Sequence, residues 1–514
     1  MFVRKVKNRS GTISIQVISK HDGKYKVVKS FGAAKEVEVI KELEKKAIDF
    51  IEKFSGQMPL FHRKNEQGEI VEQFLANLSN TDIRTIGPEL IFGGIFDYIG
   101  FREIKDKLFR YLVIARLAYP GSKLKTIDYL RRYNGISSLS VDALYKFLDK
   151  LYNKHKEEAE KIAFRHSKRR LKRISVVFYD VTTLYFETED EDDLRRIGFS
   201  KDGKFQKPQI LLGLLVGENG YPLGYDIFEG NRFEGKTLIT MIKRFQEKYN
   251  IEKPIIIADA GLLSKNNISF LEEEGYGFIV GARIKSETSE MKSKILSKAE
   301  KIKNKGGEIV INKRKEGLRL IVSYSTERAK KDKYNRNRGI RRLKANLKAG
   351  RLTKKHINNR GYNKFLKLNG NITITIDEAK IEEDIRWDGL KGYITNTKLP
   401  AKKLIEKYRQ LWQIEKAFRI SKTDLRVRPI FHYVRRRIEA HICICFVAYA
   451  VWKELEYLLT KKGISMSVTR AAELTHNMYA IEYTLPGENE KKLKILQMDP
   501  EQFTLYNVIQ SIIS

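Results

Sequence analysis

Three acidic residues stand apart from the other carboxylates of this chain. Asp180 closes the apolar run ISVVFYD (Ile174–Asp180), Asp259 follows the apolar run in PIIIADAG (Pro254–Gly261), and Glu415 lies within a helical pattern far downstream. A carboxylate at the end of a buried strand is desolvated and aimed. Three that converge repel one another and raise each other's pKa. Divalent cations relieve that repulsion. Hard oxygen donors with few His or Cys nearby suit Mg²⁺, with Mn²⁺ as a substitute. Two such ions about 3.5–4 Å apart activate an attacking oxygen and stabilise a departing one, as an in-line displacement at phosphorus requires. Taken singly, each acid has a plainer reading: Asp180, before Thr182 and Thr183, caps a turn, and a mid-helix Glu is merely solvated. Their order, their strand positions and their basic surroundings favour the set.

The segment around Glu415 adds independent support. LPAKKLIEKYRQLWQIEKAFRISKTDL reads as one long helix, with Pro400 in its first turn and Pro429 marking its end. At about 100° per residue, Tyr408, Leu411, Glu415 and Lys422 share one narrow face, flanked by Trp412 and Arg419. Tyr, Glu, Arg and Lys together do not make a core stripe. They would set a metal ligand among groups that bind phosphate.

At these residues the chain resembles a known family. YDVTT, IIIADAG and YRQLWQIEKAFRISKTDL look like the three signatures of bacterial insertion-sequence transposases of the Asp-Asp-Glu kind. Within these, the chain resembles the IS-four-like group, named for a Tyr-x2-Arg-x3-Glu-x6-Lys motif. Tyr408, Glu415 and Lys422 match it by spacing. Leu411 stands where the motif has Arg; either Arg409 or Arg419 takes over that phosphate contact, or the contact is absent. The resemblance runs from about Ile174 to Tyr449. It implies a ribonuclease-H-like core, a two-Mg²⁺ site on Asp180, Asp259 and Glu415, and cutting and rejoining of transposon ends. It also implies double-stranded DNA as partner, a homodimer in the synaptic complex, and a bacterial or archaeal, nucleoid-associated protein.

The elements that must position these residues can be traced along the chain. Residues 1–55 form a small β module plus a helix: TISIQVIS and YKVVKSF flank an HDGK turn, and VEVIKELEKKAIDFIEKF follows. Residues 56–170 read as a helical DNA-binding region, broken at Pro120-Gly121. Residues 171–285 give the order β-β-β-α-β-α-β with short turns between the first three strands, hence a mixed sheet. Residues 286–387 interrupt it as a β-rich basic insertion (GEIVINKR, LRLIVSYS, NITITID). Residues 388–460 return to the core, first by the strand DGLKGYITNT and last by a helix, Arg435–Leu459, apolar along one face. Residues 461–514 form a tail. The fold class is therefore α/β, multidomain.

Charge fixes the partner. Lys and Arg number 99 against 64 Asp and Glu, a net of +35. Such an excess points to nucleic acid first and an anionic membrane surface second. Between Glu327 and Lys367, 16 basic residues face two acidic ones. That run is too one-signed for salt-bridge lacing. Arg341, Arg342 and Lys344 at its centre, together with Tyr408, Arg409, Arg419 and Lys422, are the expected DNA contacts. Two cysteines cannot build a disulfide framework, and a reducing compartment fits. Residues 1–30 lack the apolar core of a signal peptide, and the apolar run His441–Trp452 is too short to span a bilayer. A cytoplasmic protein without membrane contact is expected.

Weaker signals have structural readings first. Lys201 and Lys236 read as loop residues and Asn231 as a helix cap, His432 and His441 as packed histidines, Trp387 as a core residue. RVRPIFHYVRRR (Arg426–Arg437) suits backbone contact and stacking on nucleic acid. Two rival functions share the residues: a nuclease of the same fold without strand transfer, and a non-catalytic DNA-binding protein descended from a transposase.

Overall fold

The computed structural model describes all residues except 22, 56–70, 73, 77, 81, 135–138, 263, 304–306, 313–316, 359–360, 370–372, 486–489 and 514. Asp22 of the expected N-terminal turn, and part of the segment expected to link the β module to the helices, lie outside the described residues. The chain divides into two compact units. The smaller comprises Met1–Ile83 and Ile481–Lys494, the larger Arg84–Ala480 and Ile495–Ser514.

In the smaller unit, strands Phe2–Lys7, Ile13–His21 and Lys24–Ala34 form an antiparallel sheet with the second strand central. Alternation turns Ile15 and Val17 inward, where they meet Ile40 and Ala47 of the helix Val37–Ser55.

The larger unit is built on an eight-stranded mixed sheet. Its heart is five strands: Val176–Tyr185, Gln209–Val216, Pro222–Glu229, Ile255–Ala258 and Phe278–Ala282. The first three are antiparallel neighbours. The fourth lies parallel to the first, on its other side, and the fifth parallel to the fourth. The spatial order is therefore third, second, first, fourth, fifth, the ribonuclease-H-like arrangement. Strand Leu390–Thr395 adds to the fifth strand, and Arg319–Tyr324 and Gly307–Asn312 extend the edge beyond it.

Sidedness follows from the two-residue period. Val176 and Phe178 face one core, which they share with the helices of the N-terminal half and with Ile405, Tyr408 and Ile414. Val177, Tyr179 and Val181 face the other core, with Leu238, Met241 and Phe245 of helix Thr237–Tyr249.

Several expectations change in detail. The first strand does not end at Asp180; it runs five residues further, because VTTLY is itself β-forming. Pro400 is the N-cap of its helix rather than a first-turn residue. The insertion holds the expected strands, but two of them join the main sheet. The same segment also carries helices Ser289–Lys303, Thr326–Lys348 and Glu378–Ile385, which the strand-like runs overshadow in sequence. Helix Arg435–Lys461 is buried on nearly every side rather than along one face, and Glu439, His441, Lys453 and Glu454 are buried with it. Trp387 is a core residue. Asn231 caps neither the short turn Glu234–Lys236 nor helix Thr237–Tyr249, which begin at Phe233 and Lys236 without a side-chain cap. Among the described residues no helix is long and apolar enough to cross a membrane.

Candidate active site

Register sets two aspartates side by side. Tyr179 pairs with Ala258 across the parallel strands. Asp180 and Asp259 each come one residue later, on strands about 4.8 Å apart. Both share the parity of Phe178 and Ile257, so both face the core that holds the Tyr408 segment. The next strand pairs Val280 with Ala258, which brings Gly281 to the same level, and Gly281 in turn pairs with Tyr393. Asp180, Asp259, Gly281 and Tyr393 thus form one row across four strands.

Gly281 is there to make room. A Cβ at this position would stand 2.7 Å from the Tyr408 hydroxyl. In the space left open, Tyr408 donates to Oδ1 of Asp259 at 3.2 Å and packs edge-on against Tyr393 at 4.8 Å. Lys391 lies over the Tyr408 ring at 4.5 Å.

The electrostatics are those of a site short of positive charge. Burial pushes the Asp180 carboxyl up to about 6, and the charges of Glu234 and Asp259 add to the rise. Lys201 and the Val181 N–H oppose it; Lys201 Nζ stands 3.8 Å from Asp180 and 3.1 Å from Glu234. Burial raises the Tyr408 hydroxyl, and Asp259 and Glu415 raise it further. Burial and Arg328 lower the Lys391 amine, while Asp259 and Glu415 act against them. Asp259 and Glu415 therefore flank the same two side chains.

Glu415 is exposed on helix Trp412–Arg419. Among the described residues no three His, Cys, Asp or Glu side chains are gathered as a ready metal-binding set. The donor chemistry nonetheless suits a hard divalent cation: two carboxylates adjoin, one of them desolvated and raised by its acidic neighbours, and a third, Glu415, is exposed on its helix.

The other expected contacts separate. The segment from Pro400 is not one helix. It comprises Ala401–Arg409, then Trp412–Arg419, then a π turn at Ile420–Asp424, so the narrow face drawn over 14 residues loses its phase. Tyr408 is buried against Asp259. Leu411 is a core residue. Lys422 turns to Asp202, at 3.2 Å, where Arg428 also binds at 2.6 Å. Arg409 and Arg419 are exposed, and Arg409 is near enough to Tyr393 to act on its hydroxyl. Arg341, Arg342 and Lys344 are exposed on helix Thr326–Lys348, which Arg336 anchors by two bonds to Asp388 at 2.5 and 2.6 Å. Lys391, Glu234 and Gly281 escape sequence reasoning, because only cross-strand register or a loop's return gives them a place beside the acids.

This sheet, with Asp180 and Asp259 aligned at neighbouring strands, defines a core of the ribonuclease-H-like class. The chain belongs to the transposase DDE domain family, whose model matches residues 171–451. No curated protein matches the chain. Solved structures similar to it include the piggyBac transposase synaptic complex with hairpin DNA, at 10% identity over 76% of this chain and 78% of that one, with a TM-score of 0.39. The Mos1 transposase paired-end complex with left transposon end gives 12% identity, coverages of 36% and 56%, and a TM-score of 0.16. The Drosophila P element transposase strand transfer complex gives 11%, 78%, 90% and 0.19. The family assignment rests on the family match, and the fold on the strand order.

Proposed function

We propose that the chain binds the terminal inverted repeats of an insertion sequence, cuts a strand at each end and joins the freed 3′-hydroxyl to DNA. The observation that carries this reading is the alignment of Asp180 with Asp259 on the face where Tyr408 bonds Asp259. Two Mg²⁺ ions, with Mn²⁺ as a substitute, would be held by Asp180, Asp259 and Glu415, and would activate the attacking oxygen and neutralise charge at phosphorus. Tyr408 fixes the Asp259 carboxylate through its hydroxyl. Lys391 and Lys201 supply positive charge on either side of the acids, where a phosphodiester can be held. Water first cleaves the end, and the 3′-hydroxyl left behind then attacks a second phosphodiester. The reaction joins two ends, so a homodimer on DNA is expected, in a cytoplasmic setting with access to the chromosome. Membership of the IS-four-like group belongs to the same reading; Tyr408, Glu415 and Lys422 keep its spacing, and Leu411 departs from it.

A pre-cleaved transposon end with a free 3′-hydroxyl tests the reading. The chain should join it to target DNA in Mn²⁺. Cleavage of intact ends without any joining would mark a nuclease instead.

A further inference from the structure

Apart from the aligned acids, the larger unit has an open cleft of about 1350 Å³ between the Pro120-Gly121 turn and the chain that follows Lys422. Arg116, Lys123, Lys125, Arg131, Arg426 and Arg428 line it, and Asp128, at an exposed position, is the single acid among the lining residues. Two of these cations are deeply buried: Arg116 is 4% exposed and Lys123 7%. Among the described residues neither is paired with a carboxylate. Lys123 Nζ lies 3.4 Å from Nδ1 of His441, and Arg116 reaches the Leu425 carbonyl at 3.5 Å.

The neighbours leave this charge uncompensated. Burial and then Arg116 push the Lys123 amine down to about 7, against a small opposing effect of Cys445. Burial, and then Lys123 and Arg116, push His432 down to about 3 and His441 well below its ordinary value. Both imidazoles are therefore neutral at pH 7. A buried ammonium without a counterion is costly unless it sheds its proton or an anion arrives to meet it. Lys123 also opens the 12-residue helix Lys123–Asn134, whose N-terminal end favours negative charge, with the Lys125 N–H already donated to Ser122 Oγ at 3.3 Å.

Three features select the anion. The volume exceeds the roughly 300–1,000 Å³ of ordinary small-molecule pockets. Phe431, exposed, and Tyr145 add aromatic surface to the lining. Arg428 belongs both to the lining and to the Asp202 ion cluster; Lys422 of that cluster also feels the charge of Lys201, which adjoins Asp180.

We propose that this cleft binds the phosphates of an unpaired DNA strand that continues from the acidic site, with Lys123 and Arg116 as its buried contacts. A duplex is a stiff rod and cannot bring its backbone to a lysine more than nine-tenths buried, whereas a single strand can. The proposal rests on the transposase reading, but its test needs no cleavage.

The full chain is titrated in EDTA with a labelled single strand of about 12 nucleotides, with a duplex of equal length, and with a nucleoside triphosphate. Lys123→Met keeps the side chain's length and replaces an unpaired buried charge by an apolar group, so it should fold. Its single-strand affinity should fall by about tenfold or more, with duplex affinity unchanged. Equal single-strand affinity in the folded variant, or an equal loss for duplex, would overturn the proposal. So would a nucleoside triphosphate that binds as tightly as the oligonucleotide, because the site would then be one for a free nucleotide. Should Lys123→Met not fold, the exposed pair Lys125→Gln/Arg426→Gln gives the same decision: a loss of about threefold for the single strand alone supports the site, and no loss removes it. Glu415→Gln tests the cleavage reading separately. Failure of that variant to cleave, or its success, bears only on the cleavage reading.

Discussion

At the scale of single residues, the site depends on a missing side chain as much as on charged ones. Gly281 leaves space for the Tyr408 hydroxyl, and that hydroxyl holds Asp259. Gly281→Ala should displace the tyrosine, and its Cβ would also stand 3.1 Å from the Ala260 backbone N, next to Asp259. Misplacement of about 1 Å lowers rates by about 10²-fold, so strand cleavage should fall by that order while end binding, read by gel shift, stays unchanged. Unchanged cleavage would remove Tyr408 from the site. The alignment of Asp180 with Asp259 was legible, because each apolar run delivers a single carboxylate; Glu415 was read from its helical pattern and stays part of the proposal. Gly281 and Lys391 were not legible. Nothing local distinguishes a strand glycine that faces a tyrosine from one that faces only a methyl group.

At the scale of elements, one buried carboxylate ties three together. Glu454 of helix Arg435–Lys461 accepts from Tyr221 at 3.1 Å, lies 2.7 Å from Nε2 of His166, and pairs with Arg170 of helix Lys156–Leu171. Burial alone would raise its carboxyl, but the bonds from His166 and Arg170 outweigh burial and lower it. A depressed carboxyl stabilises the fold above its unfolded value, about 4.3, and the contribution is lost as pH falls through the folded value. Glu454→Gln should cost about 3–5 kcal/mol near neutral pH, measured by chemical denaturation. The gap from the unaltered chain should narrow below about pH 4; a gap independent of pH would contradict the ion pairing. The order of the core elements was legible because hydrophobic period and turn residues are local signals. The break after Arg409 was not, since Gln410 and Leu411 are ordinary helix formers. Nor was the joining of Gly307–Asn312 and Arg319–Tyr324 to the main sheet, since pairing partners lie far off in sequence.

At the scale of the molecule, an excess of 35 positive charges makes binding to a polyanion salt-dependent. Arg336, Gly339 and Leu343 form the buried side of helix Thr326–Lys348, which leaves Arg341, Arg342 and Lys344 to solvent. Changing these three to Gln should weaken binding to every DNA sequence and flatten the plot of log K against log salt by about 0.9 for each phosphate that is no longer neutralised. An unchanged slope, measured by anisotropy from about 50 to 200 mM salt, would take that helix out of the interface.

The central claim is that Asp180, Asp259 and Glu415 act as one unit. Its most direct test is Mn²⁺-dependent cleavage of DNA carrying the element's own ends, by the unaltered chain, by Asp180→Asn, Asp259→Asn and Glu415→Gln singly, and by the triple variant. Groups that work as a unit are not additive. Each single change should abolish cleavage as completely as the triple change does, while all four variants still bind the ends. Cleavage that survives loss of any one of the three carboxylates would contradict the claim.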